Sequence, residues 1–273
     1  MTPLTDFKEP AVRGRHFLLP LLLLALTLPV WMRWFEPALF YFLNARLSTM
    51  PALLWSLLSL LGTGWCVYVF TSPWQLRNPR VFISWLCAAP LAGLMTRAGK
   101  ALANNARPLG VLDPQTVHVI GDPLYFSAMP SGHTITAFAA ATAIYFSLPA
   151  PRRLRFSWLF LLALSVGLSR VAVGAHWPAD VAMGAVLGMV SGLFGAWLSH
   201  RIHERWLEPQ SWLMRGVSLV GIYSVYVLLS DAMGFNENLS VQRLLAVFLA
   251  INLAQFFHRS FSRRQAAEAK TDR

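Results

Sequence analysis

Apolar residues run along this chain in long blocks separated by short polar connections, instead of alternating every second position as they would in a half-buried strand. A helix needs about 20 mostly apolar residues to cross a bilayer. Blocks of that kind lie near 17–35, 52–72, 81–97, 133–149, 156–173, 180–199, 212–230 and 241–257. The pattern predicts an all-α, polytopic membrane helical bundle. The segment 36–51, EPALFYFLNARLSTMP, is too short and too interrupted to span, and its aromatics suit a helix lying at the interface. A cleaved leader would need small residues after the first block, but Trp31, Arg33 and Trp34 stand there, so the block is expected to be a retained span.

Composition agrees. Hydrophobic residues make up 56% of the 273, and charged residues only 13%, about half the share of an average soluble protein. A net charge of +11 would suit nucleic acid if it formed a soluble basic face, but the basic residues sit between apolar blocks and read as orientation signals. With the N-terminus cytoplasmic, most Lys and Arg fall on the cytoplasmic side. Only Arg33, Arg46, Arg97, Lys100, Arg107, Arg170 and Arg243 fall on the other. Both termini are therefore expected inside. Cys66 and Cys87 lie in apolar blocks without metal-site or disulfide spacing.

The predicted organisation is a cytoplasmic segment 1–16, a transmembrane domain 17–257 and a basic tail 258–273, polar and disordered. The one long connection, 98–132, faces outward, and loops of that length are usually functional or disordered.

Three stretches converge on this outward face: KALANNARPLG, MPSGHT and SRVAVGAHWPAD. Lys100, Arg107 and Arg170 bring three cations with few carboxylates, a set suited to a strongly anionic ligand. Arg offers a planar fork for phosphate oxygens and Lys a point charge. Ser131 can donate its hydroxyl, and Gly132 allows close backbone approach at a helix start whose free N–H groups favour an anion. His176 and Asp180 are spaced i, i+4, on one helix face, with Pro178 suited to the first turn. A carboxylate fixes the tautomer of an adjacent imidazole and stabilises its cation, which makes His176 a nucleophile and leaves His133 to protonate the leaving oxygen.

These residues form the pattern Lys100…Arg107-Pro108, Pro130-Ser131-Gly132-His133 and Ser169-Arg170…His176…Asp180. The pattern resembles the type 2 phosphatidic acid phosphatase family, whose phosphate site is similar to those of the vanadium haloperoxidases and glucose-6-phosphatase. The resemblance covers 100–180 and implies a six-helix phosphatase core, with the blocks at 212–230 and 241–257 as two extra C-terminal spans. It implies that Lys100, Arg107, Ser131, Gly132 and Arg170 bind the substrate phosphate. His176 would form a phosphohistidine, Asp180 orient it, and His133 act as acid and then help to activate water, with no metal and no cofactor. Ser169 and Pro108 are expected to be structural. His118, His200, His203 and His258 are given no role, and Trp31, Trp34, Trp65 and Trp206 read as interface anchors.

The expected protein is thus an inner-membrane lipid phosphatase with its site facing the periplasm or exterior, a membrane lipid as substrate, no nucleic acid and no obligatory protein partner. Undecaprenyl pyrophosphate, phosphatidylglycerol phosphate and phosphatidic acid all offer a terminal phosphate on an apolar anchor. The alternatives are a lipid phosphotransferase using the same phosphohistidine, a lipid A phosphatase, or an inactive membrane binding protein.

Overall fold

The computed structural model describes residues 12–271, with side chains through Ser262. Among them are ten helices of eight or more residues: α1 (Leu18–Leu26), α2 (Ala38–Leu47), α3 (Ala52–Leu61), α4 (Gly64–Thr71), α5 (Pro79–Ala103), α6 (Gly132–Ser147), α7 (Trp158–Ala172), α8 (Pro178–Ser199), α9 (Trp212–Ser230) and α10 (Leu239–Thr271). The chain is an all-α, multi-pass membrane bundle. Each apolar block contains helix, but not every block forms a span.

Among the described residues, five helical stretches, built on α5, α7, α8, α9 and α10, are long and apolar enough to cross a membrane; α3 and α4 make a sixth only if taken as one span bent by 76°. The bend falls at Gly62-Thr63-Gly64. Thr63 caps α4 by accepting the Cys66 N–H at 3.3 Å, and a Cβ at Gly62 would stand 2.6 Å from Val166 and 2.9 Å from His133. The first block is broken at Thr27, whose hydroxyl donates to Leu23 O at 2.7 Å, and only a short turn, Leu28–Trp31, follows. At the other end, the backbone stays helical through the tail to Thr271, where the sequence suggested disorder. The run QAAEAK consists of strong helix formers.

The centre of the bundle is α8 lying against α6 and α5. Lipid gives apolar side chains no reason to prefer a neighbouring helix, so membrane helices associate by close backbone packing across small residues. On α8, Gly184, Gly188 and Gly192 recur every fourth residue. A Cβ there would stand 2.9 Å from Ser131 O, 2.6 Å from Ile135 O and 2.6 Å from Ala139 O. Gly195 meets Ser84 O of α5 in the same way, at 2.5 Å. The facing α6 replies with Ala139, Ala140 and Ala143, all buried.

α9 and α10 form a hairpin against α4. Buried polar groups must be paired where water is absent, and here Tyr68 donates to Val217 O at 2.9 Å and Gln75 to Ser218 Oγ at 2.6 Å. α2 does more than lie at the interface. It buries Phe40 and Asn44, and the Asn44 amide donates to His118 O and Val171 O, both at 3.0 Å, and to Ala172 O at 3.2 Å.

Candidate active site

The C-terminal ends of α5 and α7 and the N-terminal ends of α6 and α8 share one end of the bundle, which brings the three sequence stretches together. The spacing Arg170-x5-His176 is that of a helix closing on itself. Gly174, at φ 74°, ends α7 in the left-handed conformation; its N–H donates to Val171 O at 3.0 Å and the Ala175 N–H to Arg170 O at 3.0 Å, a Schellman cap. His176 N also donates to Arg170 O, at 3.0 Å. The imidazole is thereby folded back beside the arginine that precedes it.

α8 then starts with Pro178 at its first position. Asp180 reaches back so that its Oδ2 accepts the Trp177 N–H at 2.9 Å and faces His176 Nδ1 at 3.2 Å. A capping carboxylate thus doubles as the partner of the imidazole. With Nδ1 donating to Asp180, Nε2 carries the lone pair, and it lies 3.2 Å from Arg107 Nη1.

Arg107 follows the end of α5, and Pro108 begins a 3-10 turn directly after it. Its guanidinium donates to Phe126 O at 2.7 Å, Ala175 O at 2.9 Å and Ser127 O at 3.4 Å. Lys100 is half-buried in the last turn of α5, and its ammonium makes no hydrogen bond or ion pair among the described residues; its electrostatic neighbours are Arg107, Arg170 and Asp180. Arg170 Nε and Nη1 are buried and have no hydrogen-bond partner among the described residues. Arg107, Arg170, His176 and Asp180 have exposures between 0% and 7%, so this charge is held away from bulk water.

Ser131 caps α6, its Oγ accepting from Thr134 N at 3.5 Å and Thr134 Oγ1 at 2.9 Å. Its own hydroxyl proton stays available to a ligand. A second link, Ser131 N to Asp180 O at 3.0 Å, ties the start of α6 to the start of α8. At Gly132 a Cβ would meet Thr96 Cγ2 at 3.1 Å, so glycine serves helix packing there. His133 sits in the first turn of α6 with Arg170, His176, Lys100 and Arg107 as its charged or titratable neighbours. Ser169 is structural in its contacts, its hydroxyl 3.0 Å from Ser59 Oγ.

Burial, and then the cations of Arg107, Arg170 and Lys100, hold the His176 imidazole well below the ordinary value of 6.5. An imidazole held below that value stays neutral at physiological pH and keeps a nitrogen lone pair. Among the described residues, no three His, Cys, Asp or Glu side chains gather into a group that could hold a metal ion.

Two residues join the cluster from a segment that sequence reasoning gave no site role. Arg33 Nη2 lies 3.6 Å from Asp180 Oδ1, Arg33 Nη1 lies 3.5 Å from Glu36 Oε2, and Glu36 Oε1 accepts from Ala179 N at 3.4 Å. Arg33 also sits over the Trp177 ring at 5.6 Å and takes φ 61°, unusual for a residue with a side chain. Burial raises the Glu36 carboxyl, opposed by the Arg33 charge. The available signal was a charged pair at the end of an apolar block.

The sequence profile of the PAP2 superfamily matches residues 52–204, more than half of the chain and including every motif residue. The chain belongs to the PAP2 superfamily. Among characterised PAP2-like proteins, it is 31% identical to the bacitracin transport permease protein BcrC of Bacillus licheniformis, over 52% of this chain and 66% of that protein. It is 31% identical to a lipid A 1-phosphatase of Porphyromonas gingivalis, over 45% and 25%, and 34% identical to phosphatidylglycerophosphatase B of Escherichia coli, over 28% and 30%. The match thus spans less than two thirds of each of these relatives. The crystal structure of Aquifex aeolicus LpxE superposes with a TM-score of 0.51 at 24% identity, covering 60% of this chain and 94% of that one, a likeness of PAP2 fold.

Proposed function

We propose that the chain is a membrane phosphohydrolase that removes a phosphate group from a lipid headgroup through a phosphohistidine at His176. One observation supports this above the others: Nδ1 of His176 is committed to Asp180, so the lone pair on Nε2 faces a buried group of cations, of which Arg170 keeps Nε and Nη1 unbonded. Unspent donors beside a neutral nucleophile suit a phosphoryl group that gains charge as it is attacked.

In this reaction Nε2 attacks phosphorus, the bond from phosphorus to the lipid oxygen breaks, and His133 gives that oxygen a proton. Water then attacks the phosphohistidine while His133 takes up a proton, the P–N bond breaks and inorganic phosphate leaves. Lys100, Arg107, Arg170, the Ser131 hydroxyl and the N–H groups of Gly132 and His133 hold the phosphoryl oxygens, and Asp180 orients and stabilises the imidazole. Side-chain cations take the place that a metal ion has in other phosphatases. Six helical segments form the phosphatase core, with α9 and α10 additional. The site faces outward and both termini lie in the cytoplasm, as the basic residues predict.

Among the candidate lipids, a lipid A 1-phosphate is favoured. Relatives named lipid A 1-phosphatase recur in P. gingivalis, Rhizobium johnstonii and Rhizobium etli, at 31%, 33% and 32% identity. The test is phosphate release by purified protein from lipid A 1-phosphate, undecaprenyl pyrophosphate and phosphatidylglycerol phosphate, without an added acceptor, and by a folded His176→Ala variant. The expected result is the highest kcat/KM on lipid A 1-phosphate and none in the variant. Preference for another lipid overturns the substrate, dependence on an acceptor overturns hydrolysis, and normal release by His176→Ala overturns the mechanism.

A further inference from the structure

The hairpin of α9 and α10 lies beyond the residues that match the family. Its connecting loop nevertheless reaches the phosphate end of the bundle. Gly234 O accepts from Asp122 N at 3.0 Å, and at Gly121, φ 77°, a Cβ would stand 2.3 Å from that same carbonyl. On the other side, Ser56 Oγ donates to Asn238 Oδ1 at 3.0 Å. Between these anchors Phe235 is buried with Trp55, Ile120, Ala172, Val173 and Ala175. The Arg170 guanidinium carbon lies 5.9 Å from the centre of the Phe235 ring.

The geometry points to Phe235 as a positioning residue of the phosphate site: its ring steers the Arg170 guanidinium, and its packing against Ala172–Ala175 seats the turn that carries His176. The inference rests on Arg170 binding phosphate as proposed above. A carboxylate beside Arg170 would fix it too, but would consume its N–H donors and cancel the charge that the ligand needs. The negative face of an aromatic ring attracts a guanidinium while leaving its edge donors free. The two C-terminal helices thus acquire a function at the site, which is to hold one side chain in place beneath the arginine.

The test is inhibition by vanadate and by inorganic phosphate, measured on the full-length protein with Phe235→Leu, Phe235→Met and Phe235→Trp beside the wild type. A general structural defect lowers the active fraction, and so the maximal rate, while leaving the inhibition constants of the active molecules unchanged. Loss of the ring in the Leu and Met variants is expected to raise both constants roughly three- to thirtyfold, and the Trp variant to retain wild-type values. Wild-type constants in a folded Leu or Met variant overturn the inference. So does a Trp variant as weak as Met, which also decides the matter should Leu fail to fold. A wild-type protein that neither releases phosphate nor binds vanadate overturns the phosphatase reading itself, a distinct result.

Discussion

Replacing Asp180 by Asn separates two roles that a carboxylate beside an imidazole can play. Both short contacts of Asp180 fall on one oxygen: Oδ2 takes the Trp177 N–H at 2.9 Å and faces His176 Nδ1 at 3.2 Å, while Oδ1 faces Arg33 at 3.6 Å. An Asn has one oxygen to place. Turned toward Trp177 and His176, it keeps both hydrogen bonds and sets its NH₂ against Arg33, which is 32% exposed and can move away. Turned the other way, it drives a donor into the Trp177 N–H within a closed turn and forces the wrong imidazole tautomer. The first orientation wins, so the tautomer survives and only the charge is lost. For unit charges 3.2 Å apart, Coulomb's law at an effective dielectric of about 20 gives about 5 kcal/mol, and a half-developed imidazolium charge about half of that. Asp180→Asn should therefore lower kcat on the order of fifty- to a hundredfold, well short of the roughly 10⁴-fold loss that follows a wrong tautomer. Single-turnover phosphate release from a lipid substrate measures it. A variant within threefold of wild type would show that the carboxylate charge does not act on His176; a loss of 10⁴ would show that Arg33 dictates the amide orientation.

Gly188→Ala should destabilise the bundle by about 1–3 kcal/mol, because its Cβ would stand 2.6 Å from Ile135 O, a backbone atom that cannot move aside. Gly93→Ala, where a Cβ meets nothing within 4 Å, should stabilise by up to about 1 kcal/mol through helix propensity; thermal unfolding in detergent checks both, and equal effects would refute the packing argument. The His176 imidazole is held below 6.5, so in the folded protein it takes up no proton as pH falls through 6.5, whereas the unfolded chain does. Its contribution to stability is full above 6.5 and declines as the pH drops toward the folded value. Labelled-histidine NMR should show His176 neutral with Nδ1 protonated at pH 6.5, and half-protonation at or above that pH would contradict the geometry.

The grouping of the candidate site residues was legible because much of it is local. Gly174 is the residue type that a Schellman cap requires, Pro178 suits a first helical position, and Asp180 sits where a side chain can cap the helix that it begins. These short-range contacts place Arg170, His176 and Asp180 within eleven residues of chain, without calling on any distant segment. Arg33, Glu36 and Phe235 were not legible in that way, because each comes to the cluster from a distant loop or helix end, and no spacing in the sequence encodes which of these meet. The apolar blocks located helices but not their packing. The recurrence of Gly184, Gly188 and Gly192 was a readable signal of close helix contact, and Gly62-Thr63-Gly64 a readable break in a block taken as one straight span.

Two arginines in the same buried site differ in a way that composition alone could not reveal. Arg107 spends its donors on Phe126, Ser127 and Ala175 carbonyls, so it is already fixed and largely compensated for leaving water. Arg170 holds Nε and Nη1 without partners. A buried charge lacking its hydrogen bonds costs several kcal/mol, and neutralising the group is not open to arginine. On the reading proposed above, a phosphoryl group would offer acceptors to those two donors, which the carbonyls around Arg107 already supply to that side chain. In that proposal Arg107, held by three carbonyls, would fix the position of the phosphoryl group, and Arg170 would contribute the donors that the protein leaves for it.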